Sequence, residues 1–498
     1  MKQLLSSSIA APGFFGLNTQ ESSITLASGF ALEADNCIID KYGRLGARKG
    51  HVYQTTSGGT GSTLRGVHEF VGISGFVDYV SWGNGNVYKG LDTLTALSTG
   101  IAITDNDWQA ATLNDATYLA QPNHPMLKID NNMAVTSHTT QHYSFVVSAY
   151  GRLWTGSNGS DKHTLYFSSL KSDSLTGGTS GSLDMREIWT GGGDEIVSVA
   201  AFNGRIIVFC KKHIVILADE NTSDLTVNPV NLYVTDVLDN VGCVARDSIK
   251  AVGDDIFFLS YSGLRSLTRV IQEKSNPLTD LSKNIRDELT QAINSEDLGH
   301  LNAIYSPLNA YYLLVFPNVK LVYCFDTRVK LEDGSLRVTK WTNTSILSGT
   351  TISDGSLYLG MVDGIAEYKG YYDNGRDYYM SYYTNYFDFD QPTITKILKS
   401  VGVTLIGGSG QNFTVKVGTD YTDQPRSYNR SVKQSAVSEY NIDEYNIAEF
   451  TGGGSTDRIK VSVGGHGSVI QLGFNAYISG DPLSIQKFDV YVKQGRTN

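Results

Sequence analysis

The sequence predicts an all-β fold: a β-propeller of six or seven blades, then a C-terminal antiparallel β-sandwich-like domain, with one short inserted helix. Three observations carry this. A strand–turn–strand phrase recurs seven times at a nearly regular interval. The 498 residues include 51 Gly and 29 Tyr while only 18% are charged, a mix suited to short strands and tight turns and leaner in charge than the usual ~25%. The texture of the chain then changes after residue 370. The length calls for two or three domains, placed at 1–64 (N-terminal arm and hairpin), 65–370 (propeller) and 371–498 (C-terminal β domain).

The clearest copy of the repeat is residues 251–270, AVGDDIFFLSYSGLRSLTRV. Asp254 and Asp255 close a turn, residues 256–259 form an apolar strand, and 264–267 return. Gly263 between them suits the positive φ of a hairpin because it lacks a Cβ. Comparable first strands lie at 76–81, 117–120, 152–154, 205–209, 310–316 and 356–359, with returns at 86–89, 126–129, 164–167, 214–217, 321–325 and 365–368. Counted from the preceding turn, the copies start near 74, 114, 150, 203, 254, 308 and 354. Propeller repeats run to ~40–50 residues per four-stranded blade. A lone hairpin cannot bury both faces, whereas blades set radially bury them against one another. A solenoid or stacked sandwiches would show shorter or less regular spacing.

The flanking elements follow in order. Residues 26–36 are expected to form a short helix and 36–50 a hairpin, with 57–62 (SGGTGS) as a flexible junction. Between repeats, Leu278, Leu281, Ile285, Leu289 and Ile293 recur every three or four residues. That spacing predicts a helix over 279–293, capped by Thr279 or Asp280 just after Pro277. Residues 371–389 hold seven tyrosines and two phenylalanines. Strands are then expected at 396–407, 413–417, 458–463, 468–477 and 485–492, with a loop at Gly452, Gly453 and Gly454.

Several chemistries are weighed and set aside. Forty Lys plus Arg stand against 50 Asp plus Glu, a net charge of −10, which argues against a broad grip on nucleic acid. Cys37, Cys210, Cys243 and Cys324 form no CxxC pair and read as buried thiols of a reducing compartment. The N-terminus makes a poor signal peptide, and the most apolar run, 205–217, is interrupted by Lys211, Lys212 and His213, so a soluble protein made in a cytoplasm is expected. His138 and His142 lack the intervening Glu of a zinc helix. DNDW (105–108) and DNGRD (373–377) supply only fragments of a calcium loop. GGTGSTLRG (58–66) has no phosphate-loop Lys, and the repeated boxes of sialidase-like propellers are missing. No catalytic residue, cofactor or metal is therefore assigned. The tyrosine run has only Arg376 beside it to attract phosphate, so it reads as an interface rather than a base-stacking platform.

The N-terminal phrases GLNT (16–19), A-x-x-x-x-N (31–36) and the hairpin ending RKG (44–50) resemble the opening of bacteriophage tail nozzle or tail hub proteins. The blade phrase DDIFFLSYSGLRSL and the strand pair YFDFDQPTITKILKSVGVTL are similar to that family in the same order, although Lys49 stands where the family often has Pro. The resemblance implies a structural virion protein of a short-tailed phage, made in the host bacterial cytoplasm. It implies a homohexameric ring below the portal and adaptor, carrying fibres or spikes and passing double-stranded DNA without specific binding or membrane insertion. Within that expectation Arg265, Tyr378, Tyr379, Tyr382 and Tyr383 are the candidate subunit contacts. The alternative is a carbohydrate-binding or glycan-hydrolysing propeller. It would repeat exposed aromatics at equivalent blade positions, and Trp82, Trp108, Trp154, Trp189 and Trp341 do not fall so.

Overall fold

Each of the seven recurrent hairpins is the second and third strand of its own sheet in the computed structural model. The structure describes residues 4–497 except 24, 58–62, 101–102, 104–106, 190–191, 221–226, 274–279, 423 and 434–455. The glycine-rich junction, the first half of DNDW, the Thr279 cap and the Gly452–Gly454 loop lie outside the described residues.

The chain is an all-β propeller with six four-stranded blades and, fifth in chain order, one three-stranded sheet. The four-stranded blades cover residues 66–96, 109–137, 145–184, 196–239 and 302–342, and the last spans 346–367. That last blade borrows its fourth strand from the N-terminal side, where Val52–Tyr53 pairs antiparallel with Gly364–Glu367. The ring is thereby closed by pairing the two ends of the repeat array. Neighbouring sheets touch through their first strands, which are therefore innermost.

Separate apolar clusters fill the gaps between adjacent sheets. Phe70, Val80, Leu119 and Leu127 pack between the first two blades, and Trp154, Phe167, Ile206 and Val208 between the third and fourth. Ile207, Phe209, Ile256 and Phe258 join the fourth blade to the three-stranded sheet. Successive residues of the strand Arg205–Cys210 thus serve opposite neighbours, as period-2 alternation requires.

The three-stranded sheet stops early because Gly263–Ser266 runs directly into a helix, Leu267–Glu273. Leu267 and Val270 of that helix join the same cluster as Phe258. Gly263 sits at φ +126, as its turn requires. The inserted helix begins later than its apolar spacing predicts. Asp280 does not cap it; its carboxylate takes the Ser282 N–H at 2.9 Å and the Arg286 Nε at 2.7 Å. A 3-10 turn, Lys283–Ile285, intervenes before the α-helix Arg286–Ser295. Leu281, Ile285, Leu289 and Ile293 are buried as their spacing implies, so the apolar stripe is real although its first turn is not helical. Residues 26–36 also depart from expectation. Phe30–Asp35 is a strand, held on both sides by other strands that no local signal announces.

Beyond the propeller, two sheets face one another. One continues the 302–342 blade without a break: its outer strand Leu336–Thr342 pairs with Gly16–Leu17 and Phe30–Asp35, followed by Tyr378–Phe387, Ile470–Ile478, Asn412–Thr419 and Arg426–Ser431. The facing sheet centres on the long strands Ile394–Gly407 and Leu483–Thr497. Leu4–Ala10 and the hairpin Cys37–Ile39/Leu45–Ala47 add to it from the N-terminal side. Between the layers Phe14, Tyr382, Phe474 and Phe488 interlock, with Tyr382 stacked on Phe488 at 6.2 Å.

Candidate interaction site

The tyrosine-rich run is one strand, Tyr378–Phe387, and its alternation divides the tyrosines by role. Tyr378 and Tyr382 point into the protein and are buried, whereas Tyr379 is 40% exposed and Tyr383 is half-buried on the other face. Arg265 is buried with 1% exposure. Its Nη2 donates to the Ser262 hydroxyl at 2.7 Å, closing its own hairpin. Of the five candidate contacts, only Tyr379 and Tyr383 thus face outward; Arg265, Tyr378 and Tyr382 are spent on the chain's own packing.

The geometry gathers around Arg48, which the sequence marked only as part of the RKG ending. Its guanidinium forks onto Asp373, with Nη1 to Oδ1 at 2.9 Å and Nη2 to Oδ2 at 2.7 Å. Nε donates to Asn36 Oδ1 at 3.0 Å. The Tyr378 ring lies 4.2 Å from the guanidinium carbon, and the Tyr378 hydroxyl donates to the Arg48 carbonyl. Asn36 in turn donates to the Tyr379 carbonyl at 2.8 Å. Burial pushes the Asp373 carboxyl up, but the hydrogen bonds and charges of Arg48 and His51 outweigh it and hold the group well below the usual carboxylate range. Close approach fixes Gly50 beside this cluster, where a Cβ would meet the Tyr372 carbonyl oxygen at 1.9 Å. A cleft of about 420 Å³ opens here, lined among others by Arg48, His51, Asp363, Asp373, Arg376 and Tyr379. It joins the N-terminal hairpin, the last blade and the tyrosine strand. Asp373 entered the sequence reading only as a calcium-loop fragment; nothing local signals that Arg48, 325 residues away, is its partner.

A second cluster crosses the propeller axis. Arg246, in the turn before the three-stranded sheet, donates to the Asp107 carbonyl at 2.9 Å and to the Ser144 carbonyl at 2.6 Å. His300, before the next blade, lies 3.3 Å from the Asp107 carboxylate. Asp107 and Ser144 precede the innermost strands of the second and third blades, and sheets so far apart in the ring meet only over its centre. One mouth of the propeller is therefore laced by side chains.

Other residues considered from sequence are placed as follows. His138 Nε2 donates to the Asp173 carbonyl at 2.8 Å, and the ring packs edge-on to Tyr118. Among the described residues, no group of three His, Cys, Asp or Glu could hold a metal ion. All four cysteines are free and buried, and burial pushes the Cys243 thiol up to about 12. No helix is long and apolar enough to cross a membrane, among the described residues.

No family model matches the chain, and no curated protein matches it. Solved structures do. BBS1N, crystallised in complex with ARL6DN, is 10% identical, covering 64% of this chain and 96% of that one at a TM-score of 0.37. The WD40 domain of Neurospora crassa Pan2 is 9% identical, covering 62% and 89% at 0.37. A Lactobacillus plantarum protein is 12% identical, covering 70% and 98% at 0.34. At TM-scores below 0.5 these likenesses carry no argument about this chain.

Proposed function

We propose that this chain is a structural subunit of a bacteriophage tail nozzle or hub: a homohexameric ring in the virion through which double-stranded DNA is ejected. In this reading the ring attaches below a portal-side adaptor and carries fibres or spikes. The observation that supports it is where the resemblance falls. The stretches that resemble the family, 16–19, 31–36 and 44–50, supply the strands and the Arg48 anchor that tie the propeller's outer edge to the C-terminal sheets. A wall subunit needs such a tie, because force on one domain must reach the other. Catalysis plays no part in this reading.

The laced axis bears on the route. DNA would pass through the middle of the ring, between subunits, and not along any propeller's own axis. A net charge of −10 per chain favours sliding over binding, since phosphates are held by clustered Lys and Arg. Mass photometry of the purified protein, alone and with its portal-side partner, tests the reading. The expected species has six times the 54.3 kDa chain mass and does not retain duplex DNA at physiological salt. Single chains under both conditions, or tight duplex retention by the ring, would overturn it.

A further inference from the structure

The outer face of the C-terminal sheet carries a groove with Tyr379 at one end, and here that ring is assigned to a ligand instead of a neighbouring subunit. Strands Tyr378–Phe387, Ile470–Ile478, Asn412–Thr419 and Arg426–Ser431 lie side by side in that order. Alternation sends Phe413, Val415 and Phe474 to the core and turns Thr414, Lys416 and Tyr477 outward. Cross-strand register sets Tyr379 opposite Tyr477, Thr414 opposite both Asn475 and Asn429, and Lys416 opposite Ser427. The result is a groove of about 920 Å³ with two aromatic rings at one end and a lane of amides and hydroxyls beside them.

The rings are open. Tyr477 is 64% exposed and Tyr379 40%, with centroids 5.1 Å apart and planes inclined at 56°. An apolar face left in water on this scale is available for stacking. Lys416 is held from below: its Nζ lies 5.7 Å from the centre of the Tyr383 ring, and the hydrogen bond to Tyr383 keeps the ammonium charged. With the Asn475 amide oriented to satisfy both its ends, its oxygen accepts from Lys416 Nζ at 3.1 Å and its nitrogen donates to the Phe474 carbonyl at 2.8 Å. Among the described residues, Lys416 and Arg430 are the charged ones that line the groove, and no carboxylate does. The nearby Glu33 carboxylate accepts from the Ser381 hydroxyl. A chain of net charge −10 thus presents a locally cationic groove, opposite in sign to the whole.

We propose that this groove binds an acidic polysaccharide, with pyranose rings stacked on Tyr379 and Tyr477 and a carboxylate paired with Lys416 or Arg430. Hydroxyl-rich ligands match the fringe of Thr414, Ser427 and Asn429, whose groups both donate and accept. An acidic peptide would need apolar pockets for its anchors, and the floor offers none of depth. A second copy of the same face would set Lys416 and Arg430 against their own equivalents, which like-charge repulsion disfavours. Nucleic acid would require a longer cationic track than two residues.

Isothermal titration of the full-length protein with oligogalacturonate, a neutral maltooligosaccharide of equal length and poly-glutamate tests this independently of ring assembly. Oligogalacturonate is expected to bind. Tyr477→Ala should weaken it about tenfold, and Lys416→Met should erase most of the preference over the neutral sugar, both with unchanged melting temperature. Absence of oligogalacturonate binding, full binding by Tyr477→Ala, or poly-glutamate binding as tight as the sugar acid would each overturn the proposal. Should Tyr477→Ala prove unstable, Tyr477→Phe, which keeps the ring face, is expected to retain binding, and its loss would count equally against stacking.

Discussion

The gap between the third and fourth blades and the gap on the far side of the three-stranded sheet solve one problem in two ways. In the first, apolar packing is sufficient: Trp154, Phe167, Ile206 and Val208 from regular strands fill the space together with Met185, Trp189 and Val227 from the connections. In the second, the sheet is a strand short, and the helix Arg286–Ser295 and the blade 302–342 share one large core with the N-terminal strands and the C-terminal sandwich. The repeat is broken where the rest of the molecule attaches. Regular gaps hold the ring; the irregular one couples it to everything else, and beside the last blade the Arg48–Asp373 pair supplements that coupling.

The largest effect should come from the regular gaps. Trp154→Ala removes a fully buried indole and should cost about 3–5 kcal/mol, seen as a lower midpoint in denaturant with the whole propeller unfolding together. A loss confined to a few tenths would mean that the ring does not rely on its gap cores.

Asp373→Asn comes next. It leaves the Arg48 guanidinium, 5% exposed, without its carboxylate, and should cost about 3 kcal/mol. If the junction is a tie between domains, proteolysis will first release the C-terminal sandwich from an intact propeller. Simultaneous digestion of both would erase the distinction between the two kinds of gap.

Acid separates the regions further. His68, on the innermost strand of the first blade, is pushed down to about 4 by burial and by the nearby Lys250 ammonium. Its folded pKa is below its unfolded value, so the unfolded chain binds the extra proton, and the stability it contributes is complete above about pH 6.5 and lost as pH falls towards 4. Asp373 is also depressed, but from a carboxylate value of 3.8. Its contribution persists until the pH drops below about 4 and is lost only beneath that. Melting curves should therefore show a first decline between pH 6.5 and 4, which His68→Gln flattens by about 3 kcal/mol, and a second below pH 4, which Asp373→Asn removes. One merged transition, unaffected by His68→Gln, would contradict the assignment.

The smallest effect tests ring closure. Thr55 Oγ1 accepts from the Ile365 N–H at 3.0 Å and donates to the Leu91 carbonyl at 3.0 Å, pinning the strand that completes the last blade. Thr55→Ala should cost about 1 kcal/mol and speed amide exchange at Ile365 before that at Phe258.

What was legible in the sequence follows from burial. Where the second and third strands of a sheet are covered on both sides, as in Arg205–Cys210 and Tyr311–Phe316, they read as near-continuous apolar runs, and these anchor the placing of the seven hairpins. The outer strands could not be placed. Val135–Ser137 and Gly181–Asp184 are largely exposed and polar, and Thr95–Ala96 is two residues long. Phe30–Asp35 is a strand where the local sequence predicts a helix, because its strand character comes from partners more than 300 residues distant, such as Thr384 and Lys340. For the same reason Arg265 drew attention as an odd charge in a blade, while Arg48, with a partner far along the chain, did not. Of the tyrosine run, the sequence marked the strand as important but not which ring would face which way; alternation settles that only once the register is known.

Negative-stain electron microscopy of the purified protein tests the central claim most directly. A six-fold ring with an open centre, its subunits resolved as propellers around the hole, is the predicted image. Dispersed single propellers, both alone and after mixing with the portal-side partner, would contradict it.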